Sequence, residues 1–398
     1  MAEQQMQGFR ARLDYILKHN HFVSILFRKL ASTFMRVWGI FVPMDERMII
    51  FTAHGRKYND SPRAIYEYML KLGKFKNFKL VWGLEDPSVD IPGNPIKVKA
   101  DTLSYFRYTL AAKYWITCVN IERSLHYKKK DCIYLNTWHG TALNTMGNAV
   151  SGRKDFDFSY INFFSYESEF QKQHCIADFN CREEAMIPTG LPRNDTLYYT
   201  TPEEVISIKK RLGLPMDKKI ILYAPTWRDS NDNGHTYAIK PPIDIKKWEK
   251  ALSGEYVLLF RTHSYTNKVI GVEFNDFVRD YISYPIVNDL FKVADILISD
   301  YSSCITDFSI LSRPIICFAY DYDEYCRVHG LNFDFRVEMP NGIKETEDEV
   351  LDFLKVMDYD QECKNTKIFN SKYTYIGGHA TEICIEKMFG KEYLADNK

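Results

Sequence analysis

Apolar positions along this chain fall in short blocks separated by stretches with helical spacing. Residues 47–52, 78–82, 114–118 and 132–136 are compact apolar runs, each the length of a buried strand. Between them, residues 61–72 predict a helix opening Ser-Pro, a cap followed by the residue best suited to the first helical position. Residues 101–112 predict another. After Tyr199 the alternation resumes. A helix over 202–212 is capped by Thr201, a strand covers 219–223, a helix 245–252, and a strand 256–260. The block 289–293 leads into strands at 294–299 and 314–318. Continuous apolar strands alternating with helices predict parallel sheets covered on both faces. The fold class is therefore α/β, with two Rossmann-like doubly wound domains facing a cleft. Pro and Gly cluster over 188–201, which places the linker there. The expected division is 1–45 for an N-terminal helical segment, 46–198 for the first domain and 199–398 for the second.

The N-terminal segment follows a different pattern. Residues 10–42 carry Arg10, Arg12, Lys18, Arg28, Lys29 and Arg36 against a single acid, Asp14. Ser24, Arg28, Ser32 and Arg36 recur every fourth position and form a polar stripe, widened by Lys29 and Thr33. Apolar residues fill the rest, but too interruptedly for a spanning helix. The pattern predicts a basic amphipathic helix lying on an anionic membrane surface, beside Trp38 and Phe41. A helix packed on its own domain or on another subunit would show the same periodicity.

Composition narrows the function. Basic and acidic residues number 52 each, so there is none of the basic excess of a nucleic-acid binder. The nine cysteines form no CxxC pair and show no zinc spacing. With no signal peptide visible, they read as reduced thiols of a cytoplasmic protein.

The chemistry-bearing residues lie just after predicted strands. His139 follows the strand at 132–136, where a histidine can take a proton from a hydroxyl, and Gly140 beside it lets a substrate approach the backbone. Thr226 and Arg228 follow the strand at 219–223 and suit an oxyanion. Arg261 and His263 follow the strand at 256–260. Asp300, Ser302 and Ser303 follow the strand at 294–299, in a turn that opens a helix. Backbone N–H groups and the helix dipole favour phosphate there, although both serines are equally ordinary caps. Four polar clusters at strand ends describe one cleft, with a histidine from the first domain and an anion cradle from the second.

These motifs resemble those of the CDP-glycerol glycerophosphotransferases of teichoic acid synthesis, a family of primases and polymerases. The matching stretches are residues 53–62 with 65–68, Thr137-Trp-His-Gly-Thr141, residues 189–195, 223–229, 261–263 and 295–325, together running from about Glu46 to about Gly378. The resemblance implies a GT-B-like architecture and transfer of a polyol phosphate from CDP-glycerol or CDP-ribitol to a hydroxyl of a lipid-linked glycan. It implies His139 as the catalytic base. Thr226, Arg228, His263, Asp300, Ser302 and Ser303 would bind the donor, and Gly55, Tyr58, Gly140 and Thr141 the acceptor. No metal site and no required cofactor are expected, and Asp300 leaves room for a divalent ion. The expected location is the cytoplasmic face of the bacterial membrane, with the oligomeric state open. Ala142 and Ser264 stand where the family usually has proline, and neither removes a reactive group. A nucleotide-sugar glycosyltransferase of the same fold is the rival enzyme reading, and a membrane-docked scaffold the non-enzymatic one.

Overall fold

The computed structural model describes residues 21–153, 156–226, 238–239, 242–262, 268–269 and 272–394. Seven strands form the first sheet: β1 (Asp45–Thr52), β2 (Lys79–Leu84), β3 (Ile96–Lys99), β4 (Ala112–Thr117), β5 (Ile133–Asn136), β6 (Phe163–Tyr166) and β7 (Met186–Pro188). They pair in the order β3-β2-β1-β4-β5-β6-β7, every pair parallel. Alternation along β1 explains why both faces must be covered. Ile50 points into one core with Val81, Trp115 and Tyr134. Ile49 and Phe51 point into the other with Trp82, Ile116 and Leu135.

The second sheet has six strands: β8 (Lys219–Ala224), β9 (Tyr256–Phe260), β10 (Val278–Asp280), β11 (Ile296–Ser299), β12 (Ile315–Phe318) and β13 (Ile343–Lys344). Their order is β10-β9-β8-β11-β12-β13, again parallel. Ile220 and Leu222 face one core, Ile221 and Tyr223 the other. Strand order reverses beside β1 and β4 in the first sheet, and beside β8 and β11 in the second. In such sheets ligands bind at these crevices, outside the carboxyl ends of the strands.

The expected range of the second domain ends early. The helix Ala380–Phe389 returns to the first domain and buries Cys384, Ile385 and Met388 with Phe75 and Leu135. Asp195 anchors that return, its carboxylate accepting from Ala380 N at 2.9 Å and Thr381 N at 2.8 Å. These two amides belong to the open first turn, so Asp195 caps the helix from outside it.

The N-terminal helix spans His21–Phe41. Its polar stripe does not face away from the protein as a whole. Ser32 Oγ accepts from His126 N at 3.0 Å, and Arg36 Nε donates to His126 O at 2.6 Å. Met35 and Val42 are buried beside this edge. Leu30, Phe34, Ile40 and Phe41 are instead 63, 62, 78 and 78% exposed. Arg10, Arg12, Lys18 and Asp14 lie outside the described residues. Among the described residues no helix is long and apolar enough to cross a membrane. All nine cysteines are unpaired, and those at 118, 132, 175, 181, 317 and 384 are buried.

Candidate functional site

The loops after β1, β4 and β5 meet where the first sheet reverses its order. After β1 the chain turns through His54, Gly55 and Arg56. Gly55 (φ 62°) and Arg56 (φ 54°) are both left-handed, a conformation that costs glycine nothing and an arginine side chain some strain. After β5, Trp138 (φ 52°) turns the chain so that His139 points back across the strand ends. His139 Nδ1 lies 2.7 Å from the carbonyl oxygen of Cys118, which follows β4. A carbonyl only accepts, so Nδ1 carries the hydrogen and Nε2 keeps its lone pair. The rings of Trp138 and His54 are 4.2 and 5.1 Å away. Burial, and then His54, push the His139 pKa down to about 4, so the ring is neutral at ordinary pH. Burial also lowers the pKa of His54, with Asp60 acting in the opposite direction.

The second domain closes directly onto this loop. A Cβ on Gly140 would lie 2.3 Å from Ser303 Oγ and 2.7 Å from Ser303 Cβ, so only glycine lets the two motifs touch. Thr141 Oγ1 is 2.9 Å from Thr306 Oγ1 of the second domain and also hydrogen-bonds the Glu167 carboxyl. Nearby, Arg193 bridges the domains. Its NH1 donates to both oxygens of Asp60, at 2.9 and 3.0 Å, and its NH2 to Asp307 Oδ2 at 2.8 Å. Asn194 Nδ2 donates to Asp307 Oδ1 at 2.6 Å, and Asn288 Nδ2 to the Arg193 carbonyl at 2.6 Å. Burial acts to raise the Asp60 pKa, but Arg193 and the other donors outweigh it and hold it below the usual carboxylate value. Glu167, 1% exposed, forms no ion pair with Arg193, and burial with the neighbouring Asp307 outweighs that cation's pull and raises it to about 8.

In the second domain, Asp300 ties the ends of β8 and β11 together. Its Oδ1 accepts from Thr226 N and Tyr301 N, both at 2.8 Å, and from the Thr226 hydroxyl. Ser302 Oγ accepts from Cys304 N at 3.2 Å, opening the helix Cys304–Ser309. Ser303 occupies the cap position of that helix, but its side chain makes no capping bond. Arg228 and His263 lie outside the described residues. One terminal nitrogen of Arg261 is taken up within its own domain, its NH1 lying 3.0, 2.9 and 2.5 Å from the carbonyls of Tyr281, Ile282 and Tyr284. Tyr58 is held at the edge of the first domain, its hydroxyl 2.9 Å from Glu67 Oε1 and its ring under Arg63 at 4.9 Å. Among the described residues no group of three or more His, Cys, Asp or Glu side chains is placed to hold a metal ion.

Sequence reasoning missed Arg56, Asp60, Glu167, Arg193, Thr306 and Asp307. Arg56 is 7% exposed, and both terminal nitrogens are buried without a hydrogen-bond partner, NH2 lying 3.9 Å from the Asp101 carboxylate. Its place in the stretch 53–62 was the available signal. Asp60, Arg193, Thr306 and Asp307 are joined by partners more than a hundred positions away, and Glu167 by Thr141, 26 positions away. Surface concavities of about 570 and 460 Å³, the first lined by Ile243, Glu249 and Asn275 and the second by Met69, Phe75 and Ile96, lie away from this seam.

Comparison with known proteins gives the same direction. A family model described as CDP-Glycerol:Poly(glycerophosphate) glycerophosphotransferase matches residues 34–389. The teichoic acid glycerol-phosphate transferase of Staphylococcus aureus is 33% identical over 337 residues, 79% of this chain and 85% of that protein. The teichoic acid poly(glycerol phosphate) polymerase of Bacillus spizizenii is 29% identical over 386 residues, 91% and 96% of the two chains. Among solved structures, a histidine-to-alanine variant of the wall teichoic acid polymerase TagF matches with a TM-score of 0.78 at 27% identity, covering 96% of this chain and 97% of that one. A histidine-to-asparagine variant of TagF soaked with CDPG matches at 0.77 with the same identity and coverage.

Proposed function

The chain belongs to the CDP-glycerol:poly(glycerophosphate) glycerophosphotransferase family, and on that premise we propose that it transfers glycerol phosphate from CDP-glycerol to a hydroxyl of a lipid-linked glycan, releasing CMP. The observation that carries this reading is the contact of the His139–Thr141 loop with the Ser302–Ser303 turn across the domain seam. It sets a neutral imidazole from one domain beside a helix start from the other.

The acceptor hydroxyl gives its proton to His139 Nε2 as its oxygen forms a bond to the phosphorus distal to cytidine. The bond from that phosphorus to the bridging oxygen breaks, and CMP leaves. A weakly basic histidine suits a reaction whose transition state is loose and depends chiefly on position and charge stabilisation. Ser302, Ser303, Arg228 and His263 hold the diphosphate, with Thr226 and Asp300 shaping the turn beside it. Gly55, Tyr58, Gly140 and Thr141 line the acceptor side.

The helix His21–Phe41 turns apolar side chains outward, which supports docking on the anionic cytoplasmic face of the membrane, where a lipid-linked acceptor lies.

The test is mass spectrometry of products after incubation with a lipid-linked disaccharide and CDP-glycerol, CDP-ribitol or a nucleotide sugar. Addition of glycerol phosphate with CMP release supports the reading. Addition of a sugar, with no gain from CDP-glycerol, would replace it with the glycosyltransferase reading.

A further inference from the structure

Thr306 and Glu167, joined through the Thr141 hydroxyl, are polar groups that the transfer chemistry above does not use. Thr306 Oγ1 lies 2.7 Å from the Ser303 carbonyl, and Thr141 Oγ1 lies 2.9 Å from Thr306 Oγ1. Thr141 also touches the Glu167 carboxyl. Each hydroxyl has one proton. If Thr306 donates to the Ser303 carbonyl, it can only accept from Thr141. Thr141 has then no proton left for Glu167, so Glu167 must supply the one between them. An ionised Glu167 forces the line to reverse. Thr306 then turns its proton to Thr141, and the Ser303 carbonyl keeps only the backbone amides of Thr306 and Asp307, at 3.1 and 3.3 Å.

We propose that Glu167 is a positioning residue that works as a neutral carboxylic acid, completing a proton-ordered line through Thr141 and Thr306 to the carbonyl of Ser303 and so fixing the donor turn against the His139 loop. The proposal rests on the reading of this seam as the transfer site.

The surroundings favour the neutral acid. Asp307 faces Glu167 from the second domain and opposes a second negative charge. Among the described residues Arg193, from the segment joining the domains, is the cation that acts on Glu167, and it is already shared by Asp60 and Asp307. Tyr198 and Cys175 face Glu167 from neighbouring helices, and both are neutral, their own pKa values raised by burial and then by charges that include Glu167. Gln171 Oε1 accepts from the Glu167 amide at 2.9 Å and leaves its carboxyl alone. The sign of the pH effect follows. Glu167 holds its proton in this arrangement up to about pH 8, whereas a solvated glutamate releases it near 4.5. Closing the seam therefore takes up a proton between those values, and raising the pH across that window opposes closure, with no further change above it.

Infrared spectroscopy of the full chain reads the proton directly, without substrate. The C=O stretch of a protonated carboxyl is expected at pH 7 in the wild type, fading as the pH passes about 8 and absent in Glu167→Gln. Thr306→Val frees the Thr141 proton for Glu167, so the band should fade at lower pH. In transfer assays with CDP-glycerol, Glu167→Gln keeps a donor to Thr141. It should hold kcat within a few-fold of wild type and lose the alkaline limb of the rate profile. Thr306→Val should lower kcat about tenfold, one buried hydrogen bond, with KM for CDP-glycerol little changed. A role in stability alone would move the melting temperature and leave the alkaline limb in place. The proposal is overturned if the pH 7 band persists in Glu167→Gln, if that variant keeps the wild-type alkaline limb, or if Thr306→Val leaves both band and kcat unchanged. Should the wild type transfer nothing from CDP-glycerol, the functional reading fails, and the band still decides whether Glu167 is neutral.

Discussion

Replacing Arg193 with methionine removes a cation from between two carboxylates while keeping the length of its apolar stem. The side chains of Arg193, Asp60 and Asp307 are only 11, 14 and 5% exposed, so water cannot replace the lost partner fully. Asp60 would keep one backbone donor, Ser61 N at 2.6 Å, and Asp307 the amide of Asn194. Breaking a buried ion pair by removing one partner costs about 3–5 kcal/mol, since a charge is left without compensation. At about 2–4 °C per kcal/mol for domains of this size, the melting temperature should fall by roughly 6–20 °C. Urea unfolding followed by circular dichroism measures the same loss. The acid dependence carries its own sign. Asp60 is held below its ordinary pKa, so its contribution is present above that ordinary value, near 3.8, and disappears as pH falls through the depressed one. The gap between wild type and Arg193→Met should therefore narrow in acid. Arg193→Met combined with Asp307→Asn should recover part of the loss, because one orphaned charge is gone. A loss below about 1 kcal/mol at neutral pH, typical of an exposed pair, would refute the reasoning.

His139→Ala should slow transfer by about 10²–10⁴-fold while calorimetry shows CDP-glycerol binding within a few-fold of wild type. With its pKa near 4, the ring is neutral across ordinary pH, so the acid limb of the rate profile should appear only as pH approaches that value; an acid limb near 6.5 would contradict the assignment. Ser302→Ala should cost about 1 kcal/mol of stability through the lost bond to Cys304 N. Ser303→Ala makes no such bond, so it should leave the melting temperature alone and weaken donor affinity; the opposite pattern would exchange their roles. Changing the exposed Leu30, Phe34 and Ile40 to serine should leave the fold intact and abolish co-sedimentation with anionic vesicles. Undiminished binding would place the membrane contact elsewhere.

The strands that build both sheet centres were legible because each is a run of buried apolar residues long enough to stand out, as in β1, β8 and β9. Strands β6 and β7 were not, being four and three residues long, with Ser165 buried in one and Pro188 ending the other. His139 and the serine turn were legible because each stands just after a readable strand. What joins them was not. Asp60 and Arg193 are 133 positions apart, Arg193 and Asp307 are 114, and Thr141 and Thr306 are 165. A polar pair across a domain seam leaves no period in the chain. Each member alone looks like a surface residue or a cap.

The N-terminal helix shows a further limit of periodicity. Its spacing fixes which residues share a face but says nothing about which face meets the protein. An isolated amphipathic helix would bury its apolar stripe. Here the first domain instead offers the backbone N–H and carbonyl of His126, and these take the hydroxyl of Ser32 and the guanidinium of Arg36. Met35 and Val42 add apolar contact at that edge, enough to seat the helix by a narrow strip. The wider apolar face, from Leu26 through Phe41, is then left outward. Water is a poor partner for it, and each aliphatic or aromatic side chain transferred to a lipid interface gains on the order of 1.5–3 kcal/mol if fully buried. Two members of the polar stripe, Ser32 and Arg36, are thus the edge that meets the first domain, and on the proposed reading the apolar residues between them are what the helix would offer to a membrane.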